Sequence, residues 1–230
     1  THMDKKQIAG EAAVQYIEDG MIIGLGSGST VYWTIKRIGE LVSEGMRISG
    51  IPSSMRTEKL AKEFSIPLVS FNDVRNIDIT IDGADEVDPN LNLIKGGGGS
   101  VLREKILAFA SKALIIVVDE EKLVKRLGNF PLPVEVTPFG IENTLKKITE
   151  LGCEAKLRLK DNQIFLTDNN NFIADCNFQK IKCPSKLSIE LNQIPGVIEN
   201  GLFYDIVNKV IIGSENNCVR TLKRYGQELS

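Results

Sequence analysis

A chain of 230 residues, 42% hydrophobic and 25% charged, can bury a sizeable core as one large domain or two modest ones. Its formal charge of −2 runs against a nucleic-acid or membrane-surface protein, because phosphate-rich partners are held by an excess of Lys and Arg. No apolar run approaches the ~18 residues that a bilayer span requires.

The single histidine, His2, excludes a Ser-His-Asp triad, a Cys-His pair and a His-ligated metal centre. Proton chemistry therefore falls to carboxylate, Lys, Tyr or Cys. Thr1-His2-Met3 has no apolar signal region and reads as a remnant ahead of a natural start at Met3. Cys153, Cys176, Cys183 and Cys218 form no CxxC pair and no zinc spacing. They read as small packing residues in a reducing, cytoplasmic compartment.

Ile8, Ala12, Tyr16 and Ile17 recur at helical spacing, closed by Asp19-Gly20. Met21 to Leu25 is a short buried strand, and Val31, Ile35, Ile38 and Val42 mark a second helix. Ile48–Ile51, Leu68-Val69, Ile77–Ile81 and Ala113–Val118 read as further strands, with helices at Thr57–Phe64 and Leu102–Ala113. This alternation predicts an α/β fold, a mainly parallel Rossmann-like sheet with helices on both faces. After Phe130-Pro131-Leu132-Pro133 the pattern changes. Strands at Val134–Val136, Ala155–Leu159, Ile164–Asp175 and Val197–Phe203, with helices at Ile141–Leu151 and Ser185–Asn192, predict a smaller α+β lid domain. The turn signal Asp168–Asn171 falls inside a hairpin. Val210–Gly213 then returns to the first sheet, and the tail from Asn217 is expected to be a final helix. The expected domains are 4–130 with 206–230, and 131–205.

Three segments carry chemistry. Gly24–Thr30 lies between a strand and a helix, where glycines admit an anion and Ser29 or Thr30 can cap the helix. It completes neither a dinucleotide fingerprint nor a Walker motif, so a single phosphate is favoured. Asp82-Gly83-Ala84-Asp85-Glu86-Val87-Asp88 places four carboxylates in seven residues at a strand end. They suit a hard cation, sugar hydroxyls or a solvated turn. Lys95 and the glycines 96–99 run directly into a helix whose Leu102, Ile106, Phe109 and Ala113 form an apolar stripe. A flexible linker has no place there, but a backbone bending around a ligand does. Glu104 would sit in the first turn of that helix, ~200° around from Leu102 and off the core face. All three segments follow strand ends, where open α/β sheets bind ligands, and Lys122 follows another. The set suits a phosphorylated sugar.

The runs Gly24–Thr30 (GLGSGST), Asp82–Lys105 (DGADEVDPNLNLIKGGGGSVLREK), Leu127–Val136 (LGNFPLPVEV) and Ile194–Phe203 (IPGVIENGLF) together resemble the ribose-5-phosphate isomerase A family, over nearly the whole chain. The resemblance implies interconversion of ribose 5-phosphate and ribulose 5-phosphate without cofactor or metal, in a homodimer or homotetramer. It implies Glu104 as proton acceptor, aided by Asp82, Asp85 and Lys95. Substrate contacts are expected at Ser27, Gly28, Ser29 and Thr30, at Asp82, Gly83, Ala84 and Asp85, and at Lys95, Gly96, Gly97 and Gly98. Lys122, and Lys6 near the N-terminus, are expected on the phosphate. Ser27 stands where the family often has Thr, and Asn170 where a turn Gly is common. An exposed Glu is a weak base, with a pKa of about 4.3, so burial beside the sugar should raise it.

Two alternatives stand beside this one. A CoA-transferase-like enzyme would use Glu199 in Glu199-Asn200-Gly201. A non-catalytic sugar-phosphate-sensing module would normally carry a DNA-binding segment, for which no room precedes Asp4.

Overall fold

The computed structural model describes residues 4–224; His2 and residues 225–230, with which the expected first domain ends, lie outside the described residues. In chain order the first elements are α1 (Lys5–Ala12), β1 (Ile22–Leu25), α2 (Val31–Ser43), β2 (Ser49–Pro52), α3 (Met55–Glu63) and β3 (Ile77–Asp82). Next come β4 (Glu86–Val87), β5 (Leu93–Ile94), α4 (Val101–Ala110), β6 (Ser111–Asp119), β7 (Leu132–Val136), α5 (Ile141–Thr149) and β8 (Glu154–Leu157). The chain ends with β9 (Leu159–Lys160), β10 (Gln163–Ile164), β11 (Phe172–Asn177), α6 (Pro184–Asn192), β12 (Val197–Asn200), β13 (Leu202–Phe203), β14 (Lys209–Ser214) and β15 (Cys218–Lys223). No helix among the described residues is long and apolar enough to cross a membrane.

Two compact units result. Among the described residues, the first holds those from Asp4 to Ala84, Arg103–Lys122 and those from Ile206 to Arg224; the second holds Asp85–Leu102 and Leu123–Asp205. This boundary differs from the expected one at residues 85–102 and 123–130. The reason is hydrogen bonding. β5 pairs with β13 and β4, the Val124 N–H donates to Val87 O, and the Glu86 carboxylate accepts from Gly128 and Phe130.

The first unit is built on one six-stranded sheet of order β15-β14-β6-β3-β1-β2. Every neighbouring pair is parallel except β14 with β15. In β6 the consecutive residues Leu114 to Val118 are all buried, as in a strand covered on both faces. Ile23, Leu25, Ile79 and Ile81 pack in a core with Ala9 of α1, Ile35 and Ile38 of α2, and Ala61 of α3. Ile22, whose side chain points to the opposite face from Ile23, joins Ile51, Ile77 and Leu107 of α4 in a second cluster.

The tail corrects an expectation. Instead of a helix from Asn217, residues Cys218–Lys223 form β15, antiparallel to β14 from Ser214↔Cys218 to Lys209↔Lys223. Asn216 and Asn217 turn the chain with φ of 58° each, a conformation that Asn tolerates well. Beyond that turn, the open edge of β14 supplies the ladder. Helix α4 also stops at Ala110 rather than Ala113, because Ser111 already pairs with Ile77 of β3. Leu68-Val69 is reduced to a bridge between Leu68 and Gly50.

The second unit carries an antiparallel sheet of order β12-β7-β11-β8. Val134, Val136, Ala174 and Cys176 of this sheet pack against Ile148 of α5 and Leu191 of α6. The expected strand Val197–Phe203 is two strands in two sheets, β12 beside β7 and β13 beside β5, parted at Gly201. Asn170 turns with φ of 60°, so it serves the left-handed position where Gly is common. Cys153 and Cys176 pack in this core, whereas Cys183 and Cys218 are exposed and are not packing residues.

Candidate active site

In the first unit the order of the sheet reverses between β1 and β3, and ligands of open α/β sheets bind at the carboxyl ends on either side of such a reversal. Gly26–Thr30 leaves β1 there, and Asp82–Ala84 leaves β3. The Gly26 N–H donates to Ile81 O at 3.0 Å. The Asp82 carboxylate, 1% exposed, accepts through Oδ1 from the Ser27 N–H at 3.2 Å and the Gly83 N–H at 2.8 Å. Asp82 thus ties both loops. Any Cβ at position 26 would overlap its carboxylate, so only glycine lets the two strand ends come this close.

Below this loop lies a hydroxyl cluster that the sequence reading missed. Ser27 Oγ sits 2.9 Å from Ser53 Oγ, 2.8 Å from Ser54 Oγ and 3.0 Å from Thr57 Oγ1. Ser54 caps α3 through the Thr57 N–H, and Thr57 Oγ1 donates to Gly26 O. The spacing of Ser54 and Thr57 is legible as a helix cap; that the cap also reaches Ser27 is not. Contrary to the expectation that Ser29 or Thr30 caps α2, neither side chain does so. Thr30 is the N-cap residue but makes no side-chain cap bond, and Ser29 Oγ accepts from Lys6 Nζ at 3.0 Å. The α2 N-terminus, Lys6 and Ser29 border a cleft of 650 Å³ that is also lined by Gly28, Trp33 and Arg56. Lys122 is half-buried in a single helical turn, Glu120–Lys122, just after β6.

Glu104 stands in the first turn of α4 and is 4% exposed. This overturns the expected orientation of the helix. Ile106 and Phe109 are 48% and 68% exposed, while Val101, Leu107 and Ala108 are buried. The inward stripe is Val101, Glu104, Lys105 and Ala108, the usual i, i+3, i+4, i+7 rows of a core-facing helix, joined by Leu107, with two charged residues among the apolar ones.

In the second unit Asp85, Lys95 and the glycine turn come together. The Asp85 N–H donates to Ile94 O, and its carboxylate accepts the Gly97 N–H, both at 2.8 Å. Lys95, 2% exposed, is anchored by its own N–H to Gly201 O at 2.9 Å, and its Nζ lies 5.6 Å from the centre of the Phe203 ring. The Gly99 N–H closes the turn onto Gly96 O. The other two carboxylates of the acidic segment hold backbone. Glu86 takes Gly128 and Phe130, and Asp88 takes the Asn90 and Asn92 N–H groups. Glu199-Asn200-Gly201 is likewise a scaffold. Asn200 is buried and bonds Ser188, Asn192 and Leu202, while Glu199 accepts from Asn192 and from the Asn200 N–H.

A parallel sheet with a glycine loop and a buried aspartate at its reversal defines an α/β protein with its ligand loops at the switch point. Residues 49–217 match the family described as ribose 5-phosphate isomerase A (phosphoriboisomerase A). Ribose-5-phosphate isomerase A of Bacillus mycoides is 54% identical over 215 residues, covering 93% of this chain and 97% of the relative. A solved D-ribose-5-phosphate isomerase in complex with phospho-erythronic acid superposes with a TM-score of 0.93 at 44% identity, covering 96% of this chain and 100% of the other. The ribose 5-phosphate isomerase A of Methanocaldococcus jannaschii gives 0.91 at 43% identity, covering 96% and 98%. The chain belongs to the ribose 5-phosphate isomerase A family.

Proposed function

We propose that this chain interconverts D-ribose 5-phosphate and D-ribulose 5-phosphate, with Glu104 as the group that carries the proton. The observation that carries this reading is a carboxylate buried in the inward stripe of α4, at the start of the helix that follows the glycine turn. Glutamate is among the side chains least often buried, so its place on this inward face calls for a role beyond packing. A base that must meet a C–H bond away from water needs such a place.

In the open-chain aldose the Glu104 carboxylate takes the proton from C2. The C2–H electron pair forms the C1=C2 bond, and the C1 carbonyl pair moves onto O1, giving a cis-enediolate. The proton on O2 passes to O1, C2=O forms, and Glu104 returns its proton to C1. One carboxylate on one face serves both transfers, a contribution of about 10²–10⁴-fold. Lys95 and the N–H groups of the glycine turn stabilise the charge on oxygen, at about 3–4 kcal/mol per well-aimed donor. Asp82 and Asp85 orient hydroxyls. Ser27–Thr30, at the N-terminus of α2, and Lys6 take the phosphate, where helix N–H groups and an ammonium favour an anion, and Lys122 adds a second ammonium. The enzyme works in the cytoplasm as a homodimer or homotetramer.

The test is formation of ribulose 5-phosphate from ribose 5-phosphate in chelator-containing buffer. Wild-type protein turns over, whereas Glu104→Gln binds substrate with little change and loses turnover. Near-normal turnover in that variant would refute the assignment of the base.

A further inference from the structure

The glycine turn of the second unit is gripped by a side chain to which no role has been given. Arg158, between β8 and β9, donates from one Nη1 to Gly96 O at 3.1 Å and to Gly97 O at 3.0 Å. Its Nε and Nη2 meet the two carboxylate oxygens of Asp175 at 3.0 and 2.6 Å, a bidentate fork that fixes the guanidinium plane. Asp175 lies on β11, paired with Lys156 of β8, and the Arg158 N–H donates to Ile173 O of the same strand. Both members of the pair are therefore held by one ladder. The ring of Phe165 lies 5.8 Å from the guanidinium carbon.

The two carbonyls belong to successive peptide units of the turn. A carbonyl that accepts from a cation is polarised, and the N–H of the same peptide becomes a stronger donor. The Gly96 carbonyl shares its peptide with the Gly97 N–H, which Asp85 accepts. The Gly97 carbonyl shares its peptide with the Gly98 N–H. Gly98 is exposed, and this N–H makes no hydrogen bond among the described residues. One peptide is thus anchored at both ends, while the next is gripped at its oxygen and has an N–H not engaged by the described residues.

We propose, on the isomerase reading above, that Arg158 is a positioning residue of the reaction: it fixes the glycine turn and polarises the Gly97–Gly98 peptide, whose N–H serves the oxygen that gains charge in the enediolate. A lysine cannot substitute, because an ammonium lacks the planar fork that holds a carboxylate and two carbonyls at once.

Steady-state isomerisation is measured for wild type, Glu104→Gln, Arg158→Ala and Arg158→Lys. Outright loss of an oxyanion donor lowers kcat about 10²–10³-fold, so loss of its support should lower kcat about 10–100-fold in Arg158→Ala. KM should stay within about threefold, since the interaction strengthens only in the transition state. Added guanidinium ion, able to re-enter the fork between Asp175 and the carbonyls, restores turnover to Arg158→Ala and leaves Arg158→Lys impaired. Should the Ala variant not fold, the Lys variant decides, and a kcat within about twofold of wild type overturns the proposal. Loss of kcat that guanidinium does not restore and that Arg158→Lys does not share assigns Arg158 to structure alone and also overturns it. A wild-type chain without turnover sinks the isomerase reading and this role with it. An active wild type, a dead Glu104→Gln and unaffected Arg158 variants sink only the role of Arg158.

Discussion

Gly97 offers a quantitative test of how the glycine turn is held. A Cβ at this position would lie 2.5 Å from Asp85 Oδ1 and 2.9 Å from Cγ, closer than any real Cβ contact. In Gly97→Ala the Asp85 carboxylate must rotate away, and it then loses the 2.8 Å bond from the Gly97 N–H. A hydrogen bond to a charged group is worth about 1.5–3 kcal/mol, so a destabilisation of about 2–3 kcal/mol is expected. At about 2–4 °C per kcal/mol for a chain of this size, the thermal midpoint should fall by about 4–12 °C. Thermal unfolding of the ligand-free protein measures this independently of catalysis. In an Asp85→Ala background the clash and the bond are both gone, so Gly97→Ala should cost less than about 0.5 kcal/mol, leaving a coupling of about 2 kcal/mol. Equal losses in the two backgrounds would refute the reasoning, because the penalty would then come from the backbone and not from Asp85. Turnover should fall as well, since misplacing a catalytic group by about 1 Å can cost 10²-fold.

Other substitutions examine other parts of the structure. Leu107→Ala should destabilise by about 2–5 kcal/mol and Phe109→Ala by under about 0.5 kcal/mol; the opposite ranking in denaturant unfolding would mean that α4 faces the other way. Lys6→Ala should raise KM for ribose 5-phosphate about 10–100-fold with a smaller effect on kcat, as removal of a charge-assisted contact to the phosphate implies; an unchanged KM would remove Lys6 from the phosphate site. Asp19, held below the ordinary carboxylate range first by its hydrogen bond from the Arg47 side chain, favours the folded state above its unfolded pKa of about 3.9, and that advantage is lost as pH falls through the lower folded value. Asp19→Asn should therefore be less stable than wild type near neutral pH and equal to it in strong acid; a difference that persists in acid would exclude the Arg47 contact as its source.

Much of the first unit was legible because its signals are local. The consecutive buried residues of β6, the glycine loop after β1 and the periodic apolar residues of α2 each announce their element within a few positions, and the motif from Asp82 to Lys105 carries the family. The inward face of α4 was not legible. Leu102, Ile106 and Phe109 form one apolar stripe and Val101, Leu107 and Ala108 another, so periodicity allows either. The choice belongs to the cluster of Leu107 with Ile51 and Ile77, and it is this choice that buries Glu104. The tail became a strand because β14 offered an unpaired edge, a partner that residues 218–223 cannot announce alone. Arg158 lies 62 positions from the carbonyl of Gly96 that it holds. The amino-acid sequence by itself determined the fold class, the family and the residue types of the chemistry, since these depend on neighbours along the chain. Which face turned inward, which edge was covered and which side chain gripped the glycine turn were decided only in the tertiary structure, because a hydrogen bond or a packed contact between distant segments leaves no periodic trace in either one.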